Sequence, residues 1–244
     1  MPLRIIYLTG ASACGKGTLG KRLAADFGLY HISLGDVRRA HLDAINNGVP
    51  LLRNNAICEY VKQDKVIPPN LLARYDVVPA VLLYHNHRAS RHRGWTAQLA
   101  AAMMAEELSR IQEATESSGN SNAGVIVDGH PLTGGVISEE VVLMNMGQFA
   151  GLTIVIESPR ETARQRFVER SRQITDNNER FETRMELTDR ALPKFITLMA
   201  GFGEIVRSRN DESMTIDDAY NALLLALDRS RAWQLLIRET ASGY

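Results

Sequence analysis

The residues most able to do chemistry lie near the start of the chain. Gly10-Ala11-Ser12-Ala13-Cys14-Gly15-Lys16-Gly17-Thr18 carries the pattern G-x-x-x-x-G-K. Glycines at these spacings let successive backbone N–H groups turn inward around an anion. The lysine adds a mobile cation, and the helix that follows offers its positive N-terminus. The chemistry this favours is phosphate binding. The loop also needs a strand before it and a helix after it, and the flanking residues fit both. Residues 3–9 form an apolar run of strand character. Leu19, Leu23 and Phe27 fall on one helix face, and Gly28 closes that helix.

The same alternation continues along the chain. Residues 30–32 read as a short second strand, and Ser33 with Asp36 resembles a capping box. Helices are expected over 36–47 and 51–64, broken by Gly48 and Pro50, and over 68–84 after Pro68-Pro69. Residues 125–128 form a buried strand that ends in Asp128, and residues 152–157 form another. Helices follow over 159–170 and 178–200, then a weak strand at 204–206 and a terminal helix over 217–238. Strands alternating with helices predict an α/β class with a parallel sheet. Composition shifts at 85–123, where Ala97, Ala101, Met104, Leu108 and Ile111 make one apolar stripe before a polar run at 117–122. This stretch reads as a helical insertion within a single domain spanning 1–244.

Composition excludes several classes. The 244 residues are 45% hydrophobic and 23% charged, and 28 Lys+Arg balance 28 Asp+Glu. A net charge of zero lacks the basic excess of a nucleic-acid coat, so no nucleic-acid partner is expected. Two cysteines, Cys14 and Cys58, are too few for a disulfide framework or a structural zinc site. Cys14 sits inside the glycine loop, where helix-end N–H groups favour the thiolate; the other reading is a small filler residue. No signal peptide and no run of about 18 apolar residues is present, so neither a membrane nor export is expected, and the cytoplasm is.

One detail narrows the loop. The hydroxyl residue does not follow the lysine directly: Gly17 intervenes before Thr18. Gly15-Lys16-Gly17-Thr18 resembles the nucleoside monophosphate kinases, adenylate kinases above all. The resemblance runs from residue 3 to about 227 and takes in His31-Ile32-Ser33-Leu34-Gly35-Asp36-Val37-Arg38-Arg39, residues 65–72, Val127-Asp128-Gly129-His130-Pro131, Arg166 with Arg170, and 176–184. It implies a P-loop nucleoside triphosphate hydrolase fold: three α/β/α layers, a five-stranded parallel sheet, an acceptor-binding helical segment at 33–84 and a short lid at 171–177. It further implies transfer of the γ-phosphate of ATP to a nucleoside monophosphate by a monomer, with Mg²⁺.

Residue by residue, the resemblance gives Gly10, Ala13, Cys14, Gly15, Lys16, Gly17, Thr18 and Leu19 to the ATP phosphates, with Arg166 against the adenine. Thr18 and Asp128 hold Mg²⁺. Ser33, Gly35, Arg39, Val66 and Gly129 take the acceptor. Lys16, Arg39, Arg170 and Arg184 neutralise and align the transferring group. No catalytic base is needed for such a reaction, only alignment and charge.

The chain also departs from the pattern. Leu132 replaces an arginine that clamps the acceptor phosphate, Val136 replaces an amide that reads adenine, and Leu34 replaces a hydroxyl residue. Ser12-Ala13 stands where Pro-Gly is usual. AMP is the first acceptor expected, UMP or CMP next. The alternatives are a degenerate ATP-binding protein with little transfer, or a kinase of another small acceptor.

Overall fold

The computed structural model describes residues 3–37, 39–40, 59–60, 63, 65–68, 86, 97–117, 124–129, 132–133, 136–137, 149–170 and 177–241. The helices expected over 36–47, 51–64 and 68–84 fall largely outside these residues, as do the polar run after 117 and positions 171–176 of the short lid.

Five parallel strands form the main sheet: β1 (Arg4–Gly10), β2 (Tyr30–Ser33), β3 (Gly124–Asp128), β6 (Phe149–Glu157) and β7 (Glu204–Arg209). Between β3 and β6, β4 (Leu132–Thr133) and β5 (Val136–Ile137) pair as a small antiparallel ribbon. The sheet order is β2-β3-β1-β6-β7. β1 and β3 are near-continuous apolar runs because a central parallel strand is covered on both faces. β1 therefore sits where the winding reverses: the chain first adds β2 and β3 on one side, then β6 and β7 on the other. In open α/β sheets, ligands bind at the carboxyl ends of strands beside that reversal.

The two faces of β1 sort its side chains by alternation. Ile5 and Tyr7 face one layer, made by α2 (Ala97–Ser117) and α4 (Asn178–Ala200) through Met103, Met104, Leu108, Phe195 and Met199. Tyr7 lies edge-on to Phe195 with ring centroids 5.8 Å apart, and burial pushes its hydroxyl up to about 12. Ile6 and Leu8 face the other layer, made by α1 (Lys16–Asp26), α5 (Ile216–Leu227) and α6 (Arg231–Ala241) through Leu19, Leu23, Tyr220, Leu223 and Trp233. A further helix, α3 (Arg160–Glu169), follows β6 and packs on α4 through a small cluster of Ala163, Phe167, Phe181 and Met185. The fold is the three-layer α/β/α arrangement of P-loop nucleoside triphosphatases.

The helix inside 85–123 packs into the core: its Met103 and Met104 are buried there, and the Gln112 side chain accepts the Leu3 N–H at 3.1 Å. Two other readings of the sequence change. The weak strand at 204–206 runs on to Arg209. The terminal helix breaks into two after Leu227, because Glu204 reaches across to accept from Ala232 N–H at 3.2 Å while the Ser230 hydroxyl accepts from Trp233 N–H at 3.1 Å. Together these cap α6 and fix a second helix start. No helix among the described residues is long and apolar enough to cross a membrane.

Candidate active site

β1 delivers the loop to the carboxyl edge of the sheet, and α1 carries it away. Three residues there have left-handed backbones: Gly10 at φ 143°, Ala13 at φ 61° and Gly15 at φ 98°. The glycines are enforced sterically as well. A Cβ on Gly10 would lie 2.3 Å from the Ile156 carbonyl oxygen, and one on Gly15 would lie 2.3 Å from Asn210 Nδ2. Lys16 bends back over the loop and donates from Nζ to the Ala11 carbonyl at 2.8 Å. It thus holds its charge at the loop mouth rather than in solvent.

Cys14 is fully buried beneath the loop. Burial pushes its thiol pKa up, and the opposing pull of Lys16 does not reverse this. The filler reading of Cys14 therefore replaces the thiolate reading. Leu19 is likewise a core residue, and its N–H is spent on the Gly15 carbonyl at 3.0 Å. Thr18 stands exposed in the first turn of α1, and Gly17 presents its Cα to Asp128, whose Oδ2 would lie 3.5 Å from a Cβ placed there.

Asp128 ends β3 and is 6% exposed. Its neighbour across the sheet is Ser33 at the end of β2, and His31 Nε2 lies 3.9 Å from its Oδ2. Burial lowers the His31 pKa despite that carboxylate, which keeps the imidazole neutral near pH 7. Gly129 follows with φ 78° and donates its N–H to the Leu8 carbonyl at 3.2 Å, turning the chain away. Ser33 ends β2 beside Asp128, and Gly35 and Arg39 follow just past the strand. Arg39 is engaged there by Asp36, which also faces Lys21 at 3.3 Å. Partial burial pushes the Asp36 carboxyl up, but Lys21 and Arg39 together hold it below the usual range. Val66 is 45% exposed beside buried Ile67. The side chains of Leu132 and Val136 lie outside the described residues.

The arginines of α3 and α4 approach from the far side. Arg166 donates to the carbonyls of Asn210 and Asp211, at 3.3 and 2.9 Å. Arg170 and Arg184 both lie over the Phe167 ring, their Cζ atoms 4.6 and 5.2 Å from its centroid. Ala11 and Ala13 of the loop pack on that same aromatic cluster.

Two residues escaped the sequence reading. Asn210, 8% exposed, donates from Nδ2 to the Cys14 carbonyl at 2.9 Å, and its own N–H bonds the Glu157 carbonyl at 2.8 Å. It ties the loop to β6, and the signal for it was positional, a polar residue just beyond a parallel strand. Asn86 accepts from Ile67 N–H at 2.7 Å and donates to the Ile67 carbonyl at 3.0 Å, bracing the segment that carries Val66. A lone asparagine in a polar stretch gave no signal for that role.

A glycine loop between β1 and α1, with a buried acid at the end of the adjacent strand, defines the class: a P-loop protein. Comparison with known proteins gives a narrower answer. No family model matches the chain. An adenylate kinase of Bacteroides fragilis is 26% identical over 184 residues, covering 74% of this chain and 76% of that one. An adenylate kinase of Chlamydia trachomatis is 41% identical over 71 residues, 29% of this chain and 26% of that one. A cytidylate kinase of Rhodopseudomonas palustris is 50% identical over 44 residues, 18% of this chain and 21% of that one. Among solved structures, the crystal structure of TT1252 from Thermus thermophilus aligns over 93% of this chain and 97% of its own, at a TM-score of 0.46 and 18% identity. The chain is thus similar, at low identity or over short stretches, to adenylate and cytidylate kinases.

Proposed function

We propose that this protein is a nucleoside monophosphate kinase, moving the γ-phosphoryl group of ATP to AMP first, with UMP and CMP the next acceptors, as a cytoplasmic monomer. The observation that carries this reading is the meeting of cations and loop at one sheet edge. Lys16 closes over the loop, and Arg170 and Arg184 share the ring of Phe167, a member of the cluster on which Ala11 and Ala13 of the loop pack. Phosphoryl transfer asks for alignment and for donors aimed at developing charge, and this arrangement supplies both.

The loop N–H groups and Lys16 take the ATP phosphates, and Arg166, fixed on two carbonyls, offers its guanidinium plane to the adenine. Arg170 and Arg184 neutralise the transferring group, and Arg39 grips the acceptor phosphate. A buried carboxylate at the loop and one exposed hydroxyl suit Mg²⁺, which takes one or two protein oxygens and completes its shell with substrate phosphates and water. Thr18 and Asp128 would hold it, and it would supply charge neutralisation across the phosphates.

Two observations favour a second reading, an ATP-binding protein with little transfer or with another small acceptor: Arg39 is already paired to Asp36, and Leu132 stands where the resembled pattern has a second acceptor clamp. The discriminating experiment is a coupled assay of ADP formation from Mg-ATP against AMP, UMP, CMP, GMP and dTMP, with Lys16→Ala and no-acceptor controls. Turnover that depends on one acceptor and falls about 100-fold or more in Lys16→Ala supports the kinase and names its substrate. ATP binding without acceptor-dependent turnover overturns it in favour of the second reading.

A further inference from the structure

We propose that Phe167 is a positioning residue that holds Arg170 and Arg184 together and couples them to the phosphate loop; this rests on the phosphotransferase reading above. Each of α3 and α4 carries a phenylalanine with an arginine three residues later, Phe167 with Arg170, which caps the C-terminus of α3, and Phe181 with Arg184 inside α4. Residues three apart share a helix face, so each arginine rises beside its own ring. Yet both guanidinium groups converge on Phe167, with Cζ 4.6 and 5.2 Å from its centroid. Phe181 supports that ring from the side, with centroids 5.5 Å apart and planes 55° apart.

A ring face attracts both guanidinium groups, and more strongly where water is excluded, as it is at fully buried Phe167. The aromatic cluster also touches Ala11 and Ala13, so the arginines and the loop rest on one support. An aliphatic residue would fill the same space without attracting a cation, so this function belongs to the ring rather than to its bulk. The consequence is that the phosphate-binding cations are gathered before nucleotide arrives, which removes part of the ordering cost of binding.

The test uses the full chain, titrating Mg-ATP by calorimetry beside the coupled assay. Phe167→Leu is expected to weaken Mg-ATP binding and to lower kcat, each about tenfold, and Phe167→Tyr to restore both to within about threefold of wild type. In an Arg170→Ala/Arg184→Ala background, Phe167→Leu should add less than about twofold, because the groups it positions are gone. If Phe167→Leu does not fold by circular dichroism, Phe167→Met takes its place. Three results overturn the inference: wild-type behaviour in Phe167→Leu, a Tyr variant as weak as the Leu variant, or an undiminished Leu effect in the double-alanine background. A wild type that binds Mg-ATP but makes no acceptor-dependent ADP removes the kinase reading alone, and the binding cycle still decides the role of Phe167. A wild type that binds no Mg-ATP overturns both.

Discussion

Ala13 carries the clearest local cost in the loop. Its φ of 61° lies in the left-handed region, and among the described residues it is the non-glycine there. Its β-carbon crowds the following carbonyl, at a cost of about 1–2 kcal/mol. The pattern this loop resembles has glycine at that position, so the chain keeps the conformation while giving up the residue that adopts it freely. What over-determines the strained turn is packing. Ala13 rests on the Phe167 cluster, and Asn210 pins the Cys14 carbonyl that follows. Ala13→Gly relieves the strain but makes the unfolded chain more flexible, which takes back about 0.4–1 kcal/mol. The net expectation is a gain of about 0.5 kcal/mol, read as a melting midpoint about 1–2 °C higher for a chain of this size. A lower midpoint in Ala13→Gly would show that the alanine methyl contributes more by packing than its backbone costs.

At the scale of elements, α2 decides how much of 85–123 is structural. The stripe of apolar residues was visible in the sequence. Its Met104, Leu108 and Ile111 pack with Ile5 and Tyr7 of β1 and Val125 and Val127 of β3. Met104 is 1% exposed, so Met104→Ala should cost about 3 kcal/mol through lost transfer energy and a cavity, lowering the midpoint by about 10 °C. Glu106→Ala, on the exposed face of the same helix, should change it by less than about 2 °C. Circular dichroism melts of the two variants separate a core layer from an appendage, since an appendage would lose Met104 without loosening the sheet. The contrast also explains what could be read in advance. β1, the loop and β3 were legible because a strand buried on both faces leaves an unbroken apolar run. β7 was half legible: it lies at the sheet edge, and Arg207 and Arg209 break its pattern just before Asn210. The break between α5 and α6 was not legible, because no glycine or proline marks it. It is made by Glu204, which is distant in sequence and adjacent only in the fold.

For the molecule as a whole, the site is a product of winding order. Gly10, Asp128 and Glu157 end three neighbouring strands, and they meet only because β3 and β6 flank β1. The loop leans on both aromatic and aliphatic clusters: Cys14 belongs to the layer under α1, and Ala11 touches that layer and the Phe167 cluster alike. None of these contacts exists in the unfolded chain, so a ligand of this site binds the native state alone and must stabilise it by mass action. At Mg-ATP concentrations about 100 times its dissociation constant, that stabilisation is about 2.7 kcal/mol, or about 5–10 °C in the melting midpoint. The shift should persist without any acceptor, because Lys16 is held by the loop and Arg170 and Arg184 by Phe167. In Lys16→Ala it should shrink to under about 2 °C at the same nucleotide concentration. AMP added alone probes the other side of the site: a shift there that is lost in Arg39→Ala would mean that Arg39 leaves Asp36 for the acceptor phosphate. If Mg-ATP leaves the wild-type midpoint where it was, the loop does not bind nucleotide, and the functional reading built on it fails at its first step, before any question of acceptor arises.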